Sequence, residues 1–296
     1  MIVDFGPSQH PIAREGILRM LTLTPRRMKL SREWPEALHP PKPDQEDWSL
    51  VLPFCETLRN AFTACPVDSI GLRISRAGNR CYTFLREADD KSLEQVREWL
   101  SAVGGYVALR DCLSQSFALD YDRIDGNPDN AQTVVGALRT RAKPYNAEPT
   151  DDTYKAADKL AGACSGFLDT VESYHDVDVV VAMPPSRPDK SFDLPRYLAE
   201  KLSAALGKPN MREAVKTVKA RPPLKDTALE GKLAALEGTT QVAGKGMKGK
   251  VVLLLDDLYQ SGVSANYVGM LLLEAGARKI YGLACEKTCR NDDNVK

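Results

Sequence analysis

The chain has 296 residues, with 40 Lys or Arg and 40 Asp or Glu, so its formal net charge is zero. A neutral balance provides no global basic field of the kind that attracts nucleic acid. No run of about 18 apolar residues appears, and the first residues lack the pattern of a signal peptide, so we expect neither a membrane span nor secretion. The seven cysteines are scattered without a CxxC pair, which argues against a disulfide framework or a zinc ribbon and favours the cytoplasm.

The first part of the chain predicts a small α+β unit. Four prolines within residues 35–43 make the first fifty residues look irregular. A β-hairpin is predicted around the turn 77–79, a helix over 90–102, and a further strand pair over 106–122. The loop Asp-Gly-Asn-Pro at 125–128 is the predicted boundary, which divides the chain into domains 1–127 and 128–296.

The second part alternates apolar strands with helices. The predicted strands are 177–184, 212–219, 251–257 and 280–285, and the predicted helices are 153–172, 194–206, 227–237 and 263–275. Continuous apolar runs such as VVLLL are typical of strands buried on both faces of a parallel sheet. The fold class predicted here is α/β, with a parallel sheet flanked by helices.

The most informative segment joins the strand 251–257 to the helix that follows it. The strand ends in Asp256 and Asp257, and the loop after it contains Ser261, Gly262 and Ser264. Ligands of open parallel sheets bind beyond the carboxyl ends of strands, and a helix N-terminus there suits a phosphate. The two carboxylates are placed to accept hydrogen bonds from vicinal hydroxyls of a ribose. Two other readings remain open, an acidic pocket like that of response regulators and a serine-capped helix without a ligand.

The segment LLLDDLYQSGVSA resembles the PRPP signature of type I phosphoribosyltransferases, in which a strand ends in two acids before a Thr/Ser-Gly loop. The resemblance implies that Asp256 and Asp257 bind the ribose hydroxyls. It also implies that the loop binds the 5-phosphate through Tyr259, Gln260, Ser261, Gly262, Val263 and Ser264. Gln260 stands where the family usually has a threonine, which removes one hydroxyl contact and leaves the backbone contacts.

Two further segments resemble ComF-like members of that superfamily, and the resemblance covers roughly residues 131–290. The first segment implies a pyrophosphate loop at Pro184, Pro185, Ser186 and Arg187, with Arg187 or Lys190 supplying charge; its sequence is VDVVVAMPPSRPDKSFDLPRYLAEKL. The second segment implies a mobile loop whose candidate cations are Lys216, Lys219, Arg221 and Lys225, with Lys219 and Arg221 favoured as catalytic; its sequence is VKTVKARPPLKDTALEGKLAALEGTTQV. The zinc finger that such proteins usually carry before this domain has no counterpart in residues 1–125.

The resemblance implies a transferase that moves the phosphoribosyl group of PRPP to a base or amine and releases pyrophosphate. Magnesium would bind through PRPP, Asp256 and Asp257, and a nucleoside monophosphate would serve in the reverse reaction. The family also implies a homodimer. One alternative is a sensor that binds a phosphoribosyl ligand without turnover, whose N-terminal region contacts nucleic acid or protein. Another, by analogy of fold alone, is a component of a bacterial defence or toxin system.

Overall fold

The computed structural model describes residues 14–63, 73–74, 80–144, 148–186, 192–219, 224 and 227–289. The helices are α1 (Arg14–Leu21), α2 (Leu30–Glu33), α3 (Leu58–Ala61), α4 (Asp90–Gly104), α5 (Val134–Arg141), α6 (Asp151–Thr170), α7 (Leu194–Leu206), α8 (Leu229–Leu236) and α9 (Val263–Glu274). The strands are β1 (Arg27–Lys29), β2 (Leu38–His39), β3 (Trp48–Leu52), β4 (Arg73–Ile74), β5 (Cys81–Leu85), β6 (Val107–Leu109), β7 (Gln115–Tyr121), β8 (Val179–Ala182), β9 (Val215–Thr217), β10 (Thr240–Val242), β11 (Val251–Tyr259) and β12 (Lys279–Lys287).

A mostly parallel sheet forms the centre of the molecule. Among the described residues it has six strands in the order β1-β6-β7-β12-β11-β8. The pairs β7–β12, β12–β11 and β11–β8 are parallel, whereas β1–β6 and β6–β7 are antiparallel. The predicted α/β class is confirmed: the protein has a mixed α/β fold with helices on both faces of this sheet.

The two faces of the sheet bury different helices. Successive side chains of a strand point to opposite faces, so Val251, Leu253 and Leu255 pack in one core with residues of α6 and α7. Val252 and Leu254 pack in a second core with residues of α8 and α9. The residues of β11 from 251 to 255 are therefore buried on both sides, as the continuous apolar run predicts.

A second, antiparallel sheet lies in the first part of the chain, with the order β2-β3-β5-β4 among the described residues. The predicted hairpin is confirmed by the pairing of β4 with β5, while its turn at 77–79 lies outside the described residues. The helix expected at 90–102 is α4, which begins after Asp89, whose carboxylate accepts a hydrogen bond from the Ser92 N–H at 2.8 Å. This N-cap satisfies one of the free donors of the first turn.

The expectation that the first fifty residues are irregular is wrong. They contain α1 and α2, and β1 pairs with β6 in the register Arg27↔Leu109. A three-residue strand has no periodicity to detect, and its partner lies about eighty residues away in the sequence. The strand expected at 251–257 also runs two residues further, because Tyr259 still pairs with Lys287 of β12.

The central sheet includes strands from both sides of the predicted boundary. β1, β6 and β7 precede residue 127, and β8, β11 and β12 follow it. The division into 1–127 and 128–296 stays a prediction. None of the helices among the described residues is long and apolar enough to cross a membrane.

Candidate functional site

Four parallel strands end at the same edge of the central sheet. Because β7, β12, β11 and β8 run in one direction, their carboxyl ends at Tyr121, Lys287, Tyr259 and Ala182 lie along that edge. In open α/β sheets this is where ligands bind. The edge brings together the acid pair of β11, the loop before α9 and the residues that follow β8.

Asp257 lies in a buried cluster of opposite charges. Its Oδ2 accepts hydrogen bonds from Arg139 Nε at 3.1 Å and from Lys143 Nζ at 2.5 Å. Both cations come from α5 or the residues just after it. Burial alone would raise the pKa of Asp257. The positive charges of Lys143 and Arg139 have the larger effect, and the pKa of Asp257 is lowered. Asp257 is therefore ionised near neutral pH.

Asp256 is partly exposed and has a different charge state. Its Oδ1 accepts a hydrogen bond from the backbone N–H of Asp257 at 2.8 Å. Burial and the negative charge of Asp257 raise the pKa of Asp256 to about 8. Two adjacent carboxyls cannot both ionise easily at close range. Near neutral pH the pair therefore holds about one proton, most of it on Asp256.

Arg139 links the acid pair to a third carboxyl. Its Nη1 lies 3.5 Å from Oε1 of Glu286, which is on the neighbouring strand β12 and is 4% exposed. Burial raises the pKa of Glu286 to about 7. The sequence analysis did not identify Arg139, Lys143 or Glu286 as site residues. The cluster of basic residues at 139, 141 and 143 is a signal that could have indicated Arg139 and Lys143, whereas nothing near Glu286 in the sequence marks it.

The loop after β11 turns sharply into α9. Gly262 has φ +81°, a left-handed conformation that favours glycine, and a Cβ at this position would collide with the Tyr259 hydroxyl. Ser261 Oγ accepts a hydrogen bond from the Val263 N–H at 3.4 Å. Gln260 and Ser264 are partly exposed at this turn, whereas Ser261, Gly262 and Val263 are buried. The first-turn N–H groups of a helix have no acceptor within it, so this turn can bind an anion.

The other predicted site residues follow β8 and β9. Pro185 is buried and Ser186 partly exposed. The hydroxyl of Thr217 on β9 donates to the Pro185 carbonyl, so β9 is tied to the predicted pyrophosphate loop. Lys219 is exposed two residues beyond β9. Arg187, Lys190, Arg221 and Lys225 lie outside the described residues.

In the part of the chain that the structure describes, no group of three or more His, Cys, Asp and Glu side chains is arranged to hold a metal ion. The carboxylate of Asp257 already accepts from two cations, which leaves Asp256 as the partly exposed acid at the strand end. These residues therefore fit a metal ion only if the ligand supplies most of its oxygen atoms.

No family model matches the chain, and no curated protein matches it. Among solved structures, a crystal structure of adenine phosphoribosyltransferase matches 52% of this chain and 89% of that chain. The sequence identity is 18% and the TM-score 0.35. A likeness of this degree carries no argument about the function of the chain.

Proposed function

We propose that the chain binds the phosphoribosyl group of PRPP at the carboxyl edge of the sheet and transfers it to a base or amine with release of pyrophosphate. One observation carries the proposal. An acid pair at the end of β11 is followed within five residues by the left-handed turn at Gly262 and the start of α9. Two carboxyl groups that can accept from ribose hydroxyls and a turn that can bind a phosphate thus lie on a single strand and the loop that follows it.

Each part of this turn has a role in the proposal. The acids Asp256 and Asp257 accept from the ribose hydroxyls, and the ionised Asp257 stabilises positive charge that develops on the ribose ring. The 5-phosphate binds the N–H groups between Tyr259 and Ser264. The segment 256–264 has no basic residue, so its positive charge comes from other parts of the chain: Arg139 and Lys143 lie at Asp257, and Arg26 lies at the Ser261 carbonyl. Most of the rate acceleration would come from orientation and electrostatics.

The diphosphate would bind next to the turn after β8. Pro185, Ser186 and Arg187 are proposed to contact it, and Lys219 and Arg221 to approach when the segment after β9 closes. Closure would exclude water from the reacting ribose carbon. Bound Mg²⁺ would neutralise diphosphate charge. Asp256 is the residue proposed to hold it, losing its proton as the metal binds, with PRPP supplying the other oxygens.

The proposal also assigns the chain to the ComF-like type I phosphoribosyltransferases, acting as a homodimer in the cytoplasm. The reverse reaction would take a nucleoside monophosphate. The support for this assignment is the match of three sequence segments to the family pattern together with the position of the acid pair at the strand end.

A second candidate is a sensor that binds the same ligand without turnover, as part of a regulatory or bacterial defence system. One observation favours it: Asp257 already accepts from Arg139 and Lys143, so fewer of its lone pairs remain for ribose hydroxyls. Binding would be retained in this case and pyrophosphate release would not occur.

Calorimetry with PRPP and Mg²⁺ tests the proposal. The unchanged chain should bind, and both Asp256→Asn and the double variant Asp256→Asn/Asp257→Asn should lose binding. Asp176→Asn is the matched control, because Asp176 is an exposed acid paired with Lys279 at 3.4 Å. Failure of the folded, unchanged chain to bind would overturn the proposal. A screen of bases and amines with pyrophosphate detection then separates transferase from sensor.

A further inference from the structure

The loop before α9 is supported from its inner side by residues far from it in the sequence. The hydroxyl of Tyr259 donates to Oδ2 of Asp111 at 2.9 Å, and both residues are buried. The same hydroxyl occupies the space that a side chain at position 262 would need. The side chain of Tyr259 therefore lies beneath the turn at Gly262 and is directed toward the protein interior.

Asp111 is held in place by its own contacts. It is 2% exposed, in the turn between β6 and β7, and its Oδ1 accepts from the Leu113 N–H at 3.0 Å. Burial raises the pKa of Asp111 to about 6, so it is mostly ionised near neutral pH and accepts the hydrogen bond from the Tyr259 hydroxyl as a carboxylate. A charge-assisted hydrogen bond in a buried site fixes its donor more firmly than a neutral one.

Two more side chains hold the residues that follow Tyr259. The buried guanidinium of Arg26, just before β1, donates to the Ser261 carbonyl. The amide of Asn266 in α9 donates to the Gly262 carbonyl at 2.8 Å, and its oxygen accepts from the Cys112 N–H at 2.8 Å. Three of the loop residues are thus fixed by groups that lie outside the strand-acid-loop motif.

We propose that Arg26, Asp111 and Tyr259 are positioning residues that set the shape of the phosphate loop before the ligand arrives, and that Tyr259 does not touch the ligand. We call Arg26, Asp111, Tyr259 and Asn266 the brace. The inference rests on the proposed phosphate-binding role of the loop. It assigns a function in that site to residues of the first part of the chain, to which the sequence analysis gave none.

A preformed loop matters because backbone donors bind an anion only when several of them point at one place. If the loop were ordered only on binding, the cost of ordering it would reduce the affinity. Small displacements of positioning groups also reduce reaction rates strongly. Loss of a brace contact should therefore weaken binding even though the altered side chain lies behind the loop.

Variants that remove single brace contacts test the proposal. Tyr259→Phe removes the hydroxyl and keeps the ring, and Asp111→Ala removes its acceptor while Asp111→Asn keeps one acceptor oxygen. The matched control is Tyr174→Phe, because Tyr174 is buried and its hydroxyl donates to the Gly282 carbonyl at 2.8 Å. The readouts are calorimetry with ribose 5-phosphate and with PRPP in Mg²⁺, and backbone hydrogen exchange of residues 260–265.

We expect Tyr259→Phe and Asp111→Ala to weaken binding of both ligands about tenfold, because each variant loses one hydrogen bond. Exchange at 260–265 should accelerate. Asp111→Asn should retain part of the affinity, and Tyr174→Phe should change the melting temperature without changing binding or loop exchange. Unaltered exchange at 260–265 in Tyr259→Phe and Asp111→Ala would overturn the brace whether or not the unchanged chain binds. Absence of binding to the unchanged chain, with accelerated exchange in the variants, would overturn the phosphate-binding role alone.

Discussion

At the scale of single residues, the two neighbouring acids of β11 have unlike surroundings. Asp257 is buried against Arg139 and Lys143, whereas Asp256 is partly exposed and its pKa is raised to about 8, chiefly by burial. The adjacency of two acids at a strand end is visible in the sequence. The difference between their charge states is not visible there, because it depends on cations more than a hundred residues earlier in the chain.

The two acids should therefore differ in their effect on stability. Asp257→Asn removes a carboxylate contact of the partly buried Lys143 and leaves the buried Arg139 with its longer contact to Glu286. We expect a loss of about 3 kcal/mol in the free energy of unfolding. Asp256→Asn replaces a mostly protonated acid by a neutral amide and removes the cost of taking up a proton on folding at pH 7, so the free energy of unfolding should stay the same or rise. Urea unfolding of both variants at pH 7 measures the difference, and equal losses would contradict the charge states described above.

At the scale of elements, the start of α9 depends on one backbone conformation. Gly262 is left-handed and lies against the Tyr259 hydroxyl, whereas Gly207, at the end of α7, is left-handed at φ +61° with nothing within 4 Å of its missing Cβ. Both positions require a positive φ, but only at Gly262 would an added side chain also collide with a neighbouring residue.

Gly262→Ala and Gly207→Ala form a matched pair. In both variants the backbone conformation alone should cost about 1 kcal/mol of stability, because alanine disfavours positive φ. Gly262→Ala should lose more than this, since its methyl group displaces Tyr259, and it should also abolish PRPP binding. Gly207→Ala should bind PRPP like the unchanged chain. Thermal unfolding and calorimetry on the two variants check this, and similar results for both would show that the contact with Tyr259 has no consequence.

Elements with a strong local pattern could be predicted from the sequence. The helix predicted at 194–206 is confirmed as α7 and ends at a left-handed Gly207, and the strand predicted at 251–257 is confirmed within β11. The strand pair predicted at 106–122 is confirmed as β6 and β7. The three-residue strand β1 gave no such signal, because its pairing with β6 fixes it. The brace was not predictable either, since it joins side chains from residue 26 to residue 266.

At the scale of the whole molecule, buried carboxyls make stability depend on pH. Burial raises the pKa of Asp111 to about 6, that of Glu286 to about 7 and, together with the charge of Asp257, that of Asp256 to about 8. The unfolded chain releases these protons near pH 4. The folded protein therefore binds more protons between these values, and the associated stability is lost as the pH rises through 6, 7 and 8.

We expect the melting temperature to fall from pH 5 to about pH 8, the highest of these pKa values. Asp257 does not oppose this trend, because its lowered pKa makes its contribution fully present above about pH 4. Asp256→Asn should reduce the slope of the curve between pH 5 and pH 8, the range in which folded Asp256 holds its extra proton. Calorimetric scans in buffers of equal ionic strength measure both curves, and a melting temperature that rises over this range would contradict the raised pKa values.

The sheet also predicts the behaviour of a fragment comprising residues 128–296. This fragment lacks β1, β6 and β7, so the edge of β12 that pairs with β7 in the whole chain would be exposed. A long apolar strand edge promotes association. We expect this fragment to aggregate at concentrations where the whole chain does not, as measured by light scattering. A folded monomeric fragment would support an independent domain from residue 128.

The position of β12 has a consequence for synthesis on the ribosome. This strand lies between β7 and β11, yet it is the last strand of the described sheet to leave the ribosome. Until residues 279–287 emerge, β7 and β11 each present an unpaired edge, and neither half of the sheet can join the other. Folding of the nascent chain is thus a late event, and its final strand brings Glu286 beside Arg139 and the acid pair. The strand that completes the sheet therefore also supplies the third carboxyl of the charged cluster.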